Sequence, residues 1–219
     1  MNLDFSQIVP YIPYMLQGIW VTLQLVIVAL IFGFILGTLI ALVKIMNNRF
    51  LRFLADAYTS VFRGTPLILQ LMIIYFAVPQ LTGYDIPTFL AAVLAFGLNS
   101  AAYISEIIRA GIQAVDKGQM EAAMALGIPY KPAMKDLILP QAMKNILPAL
   151  MNEFITLTKE SALVSTISYM DLMRRAQVVG SDIYRNFEPL LFVGLIYYMM
   201  VMGLTLIGKK LEKRLRQGD

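Results

Sequence analysis

One carboxylate stands inside a stretch of sequence that should lie within a membrane. Glu153 falls in residues 145–168, which are predicted to form a membrane-spanning helix. An acidic side chain in such a helix costs roughly 2.5–3.5 kcal/mol on insertion scales, so it should face a polar cavity or a partner. At helical spacing, Asn152, Thr156 and Lys159 form an adjacent polar stripe. A stripe of this kind is what a translocation pathway needs.

The charges of this stretch have a second interpretation. Glu153 or Glu160 pairs with Lys159, and the pair merely neutralises buried charge. Lys159 is close enough along the helix to reach one of the two carboxylates. The sequence leaves both interpretations open.

The third predicted span carries another polar face. Asn99, Tyr103 and Glu106 fall on one side of a helix over residues 87–108. Glu106 stands near the membrane edge, and Arg109 follows it by three residues. Because oppositely charged residues at this spacing meet on a helix, we expect them to form an ion pair rather than to bind a solute.

The elements that position these side chains are long runs without charge. The chain has 219 residues, of which 58% are hydrophobic, against about 45–50% in soluble domains. Residues 5–43 contain no charged side chain and exceed the ~20 residues that cross a bilayer. Gly33 and Gly37 in this run are predicted to allow close packing of two helices. The predicted spans are about 18–43, 64–82, 87–108, 145–168 and 189–208.

The composition therefore predicts an all-α integral membrane protein with about five transmembrane helices in a single domain. The sequence contains neither cysteine nor histidine, which excludes disulfides, thiol catalysis and histidine metal sites. We expect no metal site and no catalytic residue in this chain.

The basic residues predict an orientation. Residues 44–63 hold four lysines and arginines, residues 109–144 hold five, and residues 209–216 hold five, so 14 of the 18 lie on one side. An excess of basic residues marks the cytoplasmic side. The N-terminus should therefore lie outside and the C-terminus in the cytoplasm. The net charge of +4 then reflects topology and attraction to anionic lipid, not nucleic-acid binding.

Residues 119–140 form the one long segment that mixes charge, helix formers and helix breakers. Residues 121–126 favour a helix, and Gly127 stands where a left-handed residue would end it. Pro129 and Pro132 prevent its continuation. The pattern predicts a short surface helix, which suits a groove on a partner. The alternative is an ordinary amphipathic helix of an inner loop.

This segment resembles the EAA loop of ABC-importer permease subunits. The matching residues are Glu121-Ala122-Ala123, Gly127 and Leu137-x-Leu139-Pro140, with Leu137 where the family usually has Ile. Three further stretches are similar to polar amino acid permeases: Arg63-Gly64-Thr65-Pro66 with Gln70, residues 99–111, and residues 147–155 with Lys159 and Ser161. The chain is identified as a member of this family over roughly residues 18–216.

The resemblance implies a type I ABC-importer permease fold and specific site residues. The residues that would couple to an ATPase, within a loop over about residues 115–140, are Glu121, Ala122, Ala123, Leu126 and Gly127. The residues that would contact substrate are Glu153, Asn99, Asn152, Thr156, Lys159, Ser161 and Gln70. An acid at position 153 would favour arginine, lysine or histidine and disfavour glutamate or aspartate. Lys159 would then meet an α-carboxylate or simply neutralise a neighbouring carboxylate.

The resemblance also implies partners. The chain has no GxxxxGK[ST] phosphate loop, so ATP and Mg²⁺ should bind to a separate ABC ATPase, present in two copies, and this chain should not be an enzyme. A second permease subunit is expected, as a homodimer, with a heterodimer left open. An extracytoplasmic solute-binding protein would deliver the amino acid to the outer face of the bacterial cytoplasmic (inner) membrane.

One alternative function remains at this point. An ion-coupled secondary amino acid transporter would need no ATPase, and a buried Glu153 with Lys159 would suit ion coupling. The EAA loop argues against it.

Overall fold

A computed structural model describes residues 3–46 and 48–216, and that part of the chain is helical without a β-strand. Its α-helices are α1 (Ile12–Ile45), α2 (Arg49–Gly64), α3 (Leu67–Met72), α4 (Val78–Thr82), α5 (Thr88–Gln113), α6 (Lys117–Ala125), α7 (Tyr130–Ala133), α8 (Leu139–Glu160), α9 (Leu172–Asp182) and α10 (Phe187–Arg216). Segments of 3₁₀-helix, Phe5–Tyr11 and Ser161–Ile167, precede α1 and follow α8. Turns of π-helix, Ile73–Ala77 and Met134–Ile138, precede α4 and α8.

Three stretches of the described chain are long and apolar enough to cross a membrane, namely Phe5–Ile45, Thr88–Gln113 and Phe187–Leu215. The pair Arg49–Gly64 and Leu67–Thr82, whose axes differ by 104°, is long and apolar enough only when taken together, as one broken span or a re-entrant loop. The helical architecture confirms the predicted fold class. α8 is not among these stretches, so the span at residues 145–168 and the orientation of the chain stay predictions.

The helix ends differ from the predicted spans. α1 begins at Ile12, before the predicted start at Gly18, because Pro13 occupies its first turn, where a missing N–H costs nothing. α10 continues to Arg216, well beyond the predicted end of the span at 208, because its basic residues are good helix formers.

α5 forms the buried centre of the bundle, and α1 packs along most of it. A Cβ atom added at Gly37 would lie 2.8 Å from the carbonyl oxygen of Ala101, and one at Gly33 would lie 3.0 Å from that of Gly97. Only glycine permits this approach of the two backbones. The predicted packing role of Gly33 and Gly37 is confirmed.

Two apolar clusters hold the remaining helices in place. One surrounds the buried Phe96 and joins α1, α3, α5 and α8. The other contains Met15, Leu172 and Val193 and joins α1, α9 and α10. Asp171 caps α9 by accepting the N–H of Arg174 at 2.8 Å, and Tyr197 of α10 donates its hydroxyl to the same carboxylate at 3.2 Å. The chain that follows α8 is thereby fixed to α10.

Candidate functional site

A cavity of about 560 Å³ opens between the α2–α3 bend, α5 and α8. We call it the site cavity. Its volume lies within the range of ligand pockets, about 300–1,000 Å³. Its polar lining comes from Thr65 at the bend, Asn99 and Tyr103 of α5, and Asn152, Glu153, Thr156 and Glu160 of α8. The polar faces that the sequence predicts on two separate spans therefore meet in one place.

Glu153 is the buried charge of the site cavity. Only 9% of the residue is exposed, and its Oε1 accepts a hydrogen bond from the Ser100 hydroxyl at 2.8 Å. Among the ion pairs of the described residues, none includes Glu153. A desolvated carboxylate without a cation is costly, so it favours either a proton or a cationic partner. The arrangement can therefore take a cationic ligand group.

Lys159 does not supply that cation. It is exposed and does not line the site cavity. Neither Glu153 nor Glu160 lies within ion-pair distance of it among the described residues. The pairing interpretation therefore fails for Glu153, whereas Lys159 still interacts electrostatically with Glu160 at longer range, so for Glu160 it stays open. Lys159 stands at the penultimate position of α8, and it lies outside the cavity lining although helical spacing groups it with Asn152 and Thr156.

Gln70 and Asn99 hold the α2–α3 bend. The Gln70 amide donates to the Phe62 carbonyl at 2.9 Å and to the Thr65 hydroxyl at 2.9 Å. The Asn99 amide donates to the same Phe62 carbonyl at 3.1 Å and to Gln70 Oε1 at 3.0 Å. Pro66 has no N–H to bond this carbonyl in a continuous helix, so side chains do it instead. Gln70 does not line the site cavity.

Ser161 also lies away from the site cavity. It is fully buried, and its hydroxyl donates to the Thr158 carbonyl at 2.7 Å. Of the seven predicted substrate residues, the fold brings together Asn99, Asn152, Glu153 and Thr156 in the cavity lining. Ser100 is a further residue of this site, which the sequence indicates only by a small hydroxyl side chain directly after Asn99 in an apolar helix.

A second cavity of about 830 Å³ lies between the end of α1, α2, α5 and α7. We call it the charged cavity. In it, the Glu106 carboxylate accepts hydrogen bonds from Lys44 Nζ at 2.6 Å and from Arg109 Nη2 at 2.7 Å. Lys44 Nζ also lies 3.1 Å from Asp56. The predicted Glu106–Arg109 ion pair is confirmed. The described residues include no group of three or more possible ligands for a metal ion.

The segment between α5 and α8 contains the predicted surface helix. α6 spans Lys117–Ala125, and the side chain of Asp116 caps it by accepting the N–H of Gly118. Gly127 has φ of +78°, and the N–H of Ile128 bonds back to the Ala123 carbonyl at 3.0 Å. This is the left-handed helix end that the sequence predicts. Ala123 is buried, while Glu121, Ala122 and Leu126 are exposed.

The comparison with known families decides what kind of protein carries these two cavities. Residues 29–217 match the family described as "Binding-protein-dependent transport system inner membrane component". The chain belongs to this family. Members are membrane transport components, which agrees with the apolar helices described above.

Curated relatives in this family cover nearly all of the chain. The arginine transport system permease protein ArtQ of Bacillus subtilis (strain 168) is 59% identical over 100% of both chains. The putative glutamine transport system permease protein GlnP of Rickettsia felis is 52% identical over 94% of each. The glutamate/aspartate import permease protein GltK of Escherichia coli O157:H7 is 35% identical over 96% of this chain and 97% of its own. Membership of the family therefore does not fix the charge of the solute.

Solved structures agree with the helical architecture. A chain of an amino acid ABC transporter crystallised with histidines has a TM-score of 0.95 and 46% identity, over 98% of this chain and 100% of its own. A chain of the inward-facing MetNI methionine ABC transporter has a TM-score of 0.80 at 21% identity, over 94% and 98%. The fold is therefore the type I fold of ABC-importer permeases.

Proposed function

We propose that this chain is the membrane subunit of an ATP-driven amino acid importer, and that its site cavity binds a cationic amino acid such as arginine, lysine or histidine. The observation that carries the proposal is the Glu153 carboxylate, buried in the site cavity with a hydroxyl partner and no cation. Its charge would be balanced by the side chain of the solute.

The polar side chains around Glu153 suit the rest of an amino acid. Asn152 and Thr156 line the same face of the cavity and offer donors and acceptors to the ammonium and carboxylate groups that every amino acid shares. A like-charge contact with Glu153 would exclude glutamate and aspartate. Two relatives support a cationic solute by name, since ArtQ is an arginine permease and the matched ABC transporter was crystallised with histidines.

The α6 helix would dock on a separate ATPase. Met124 of this helix is 58% exposed, and Leu126, which caps its C-terminal end, is 80% exposed. An apolar tip on a short helix suits a groove on a partner. ATP and Mg²⁺ would be bound by that partner, in two copies, one for each permease of a homodimer. A solute-binding protein would deliver the amino acid at the opposite face.

Stimulation of ATP hydrolysis tests the proposed solute. The chain is reconstituted with its co-expressed ATPase in lipid, and arginine, lysine, histidine, glutamine and glutamate are added singly, with and without the binding protein. We expect stimulation by the cationic amino acids. Glu153→Gln should raise the half-maximal concentration by about 30-fold or more, since it removes one partner of a buried charge pair.

A second carboxylate of the same cavity supplies the matched control. Glu160→Gln removes a charge from the cavity lining on the same helix, and we expect a much smaller effect. If glutamine stimulates ATP hydrolysis and Glu153→Gln leaves this stimulation unchanged, the importer function would stand and the proposal of a cationic solute would be refuted. If no ATPase co-purifies, the coupling role fails and an ion-coupled transporter takes its place.

An exposed leucine tests the docking of α6. Leu126→Glu should prevent co-purification of the ATPase, because it places a charge where an apolar contact is proposed. Leu81→Glu is the control, since Leu81 is 87% exposed on a different helix, α4. Equal co-purification of both variants would contradict the docking role.

A further inference from the structure

The site cavity and the charged cavity are neighbours along the same two segments. On α5, Tyr103 and Ile107 line the site cavity, and Glu106 and Arg109 line the charged cavity. The other wall is the α2–α3 bend, and two consecutive residues of this bend line different cavities. Residues up to Gly64 line the charged cavity, and the site cavity begins at Thr65. The two cavities therefore lie next to each other along α5 and along the bend.

Arg63 and Tyr103 meet where the two cavities adjoin. The guanidinium of Arg63 lies 5.4 Å from the centroid of the Tyr103 ring, within the range of a cation–π contact. Tyr103 belongs to the lining of the site cavity, and Arg63 belongs to that of the charged cavity. The contact between them thus joins the linings of the two cavities.

Arg63 is the most weakly held member of the charged cluster. Its Nη1 lies 3.7 Å from Glu106 Oε2, whereas Lys44 and Arg109 lie 2.6 Å and 2.7 Å from the same carboxylate. The Arg63 side chain is 44% exposed, while that of Lys44 is 3% exposed. Lys44 and Arg109 therefore fix Glu106, and Arg63 can leave it at little cost.

We propose that Arg63 and Tyr103 form a gate between the site cavity and the charged cavity, and that the charged cavity is the vestibule through which the solute leaves. The proposal rests on the proposed function, which makes the site cavity the place where the solute binds. Arg63 acts as a positioning residue, since it closes the route without being assigned to the bound solute.

The coupling segment reaches this gate through the charged cavity. Tyr130 and Met134 line that cavity together with Arg63. They follow α6 and the left-handed turn at Gly127 within seven residues of it. A shift of α6 on the ATPase would move these two side chains within the space that Arg63 occupies. The gate is therefore placed to respond to ATP binding.

The chain is well suited to a thiol accessibility test because its 219 residues include no cysteine. Ala149→Cys places the only thiol in the site cavity, and Ser60→Cys places it in the charged cavity. The whole transporter, with its ATPase and without nucleotide, is labelled in inside-out membrane vesicles by a membrane-impermeant maleimide. Arg63→Ala and Tyr103→Leu are each combined with both reporters.

We expect Arg63→Ala and Tyr103→Leu to raise the labelling rate at position 149 about fivefold, the change expected from losing one exposed cation–π contact. Labelling at position 60 should be fast and unchanged. Arg49→Ala is the matched control, because Arg49 is an exposed arginine of the same helix that lines neither cavity. Equal rates at position 149 in the wild-type background and in both gate variants would overturn the gate.

Addition of arginine separates this proposal from the proposed function. Arginine that slows labelling at position 149 supports the solute site, and the gate variants are then compared in its absence. If arginine, lysine and histidine all fail to protect the thiol while the gate variants still raise its labelling rate, the cationic solute is refuted and the gate is supported.

Discussion

Glu106, which is partly buried, and Glu153, which is buried, are carboxylates in adjacent cavities, and their surroundings are opposite. Glu106 is surrounded by Lys44, Arg63 and Arg109, and the nearest nitrogen lies 2.6 Å away. Glu153 is held by the hydroxyl of Ser100 alone among the described residues. A carboxylate whose charge is balanced within the chain joins helices, whereas one that is left unbalanced is available to a ligand. The difference indicates that the charged residues around Glu106 stabilise the fold, whereas the site cavity around Glu153 serves to bind the solute.

Removing the charge of Glu106 should produce the largest loss of stability. Glu106→Gln leaves the Lys44 ammonium, whose side chain is 3% exposed, without its shortest ion pair. Breaking a buried pair from one side costs about 3 kcal/mol. We expect a loss of this size in the free energy of unfolding, measured by chemical denaturation in detergent micelles.

The exposed Asp85 provides the control for this measurement. Asp85→Asn removes a carboxylate from the turn between α4 and α5 and should leave the free energy of unfolding unchanged within about 0.5 kcal/mol. A Glu106→Gln variant as stable as Asp85→Asn would contradict the stabilising role of Glu106.

Loss of the Asn99 amide should have an intermediate effect and sharpens the distinction between binding and positioning. Asn99→Ala removes donors to the Phe62 carbonyl and to Gln70 Oε1, and leaving such groups unpaired costs about 1–3 kcal/mol. Since Asn99 holds the bend, we expect stimulation by every amino acid to fall to a similar extent. A loss confined to cationic amino acids would instead give Asn99 a direct role in recognition.

Among the variants of the two cavities, neutralising Glu153 should have the smallest effect on stability. Glu153→Gln removes a buried charge that has no cation in the described chain, so the free energy of unfolding should stay within about 1 kcal/mol of wild type or increase. The same denaturation measurement checks this. A loss as large as that of Glu106→Gln would mean that Glu153 also serves the fold, and the two cavities would no longer differ in kind.

The sequence alone predicted features that depend on neighbours along one helix. The Glu106–Arg109 pair follows from a spacing of three residues. The left-handed conformation of Gly127 follows from a run of helix-forming residues before it and prolines after it. The burial of Glu153 follows from the cost of its charge in a membrane segment. The approach of α1 and α5 follows from two glycines four residues apart.

Contacts between distant parts of the chain were beyond the reach of such patterns. Lys44 reaches Glu106 across 62 positions, and no periodicity of either helix indicates that partner. Gln70 looks available in the sequence, but the 104° bend brings the Phe62 carbonyl to it. Lys159 shares a stripe with Asn152 and Thr156 in the sequence, but it is exposed and lies outside the lining of the site cavity, and its spacing along α8 does not indicate this.

The polarity of α8 has a consequence for how the protein is made. Because α8 contains Glu153 and Glu160, it should insert into the membrane less readily than α1. The long apolar sequence of α1 can insert without a partner helix. The charge of α8 is tolerated against α5, which supplies Ser100, and α10 covers it only after the last helix has been synthesised. The proposed crossing of α8 would therefore be completed late in biogenesis, when α5 and α10 enclose it, and a chain truncated before α10 should be a preferred substrate of membrane proteases.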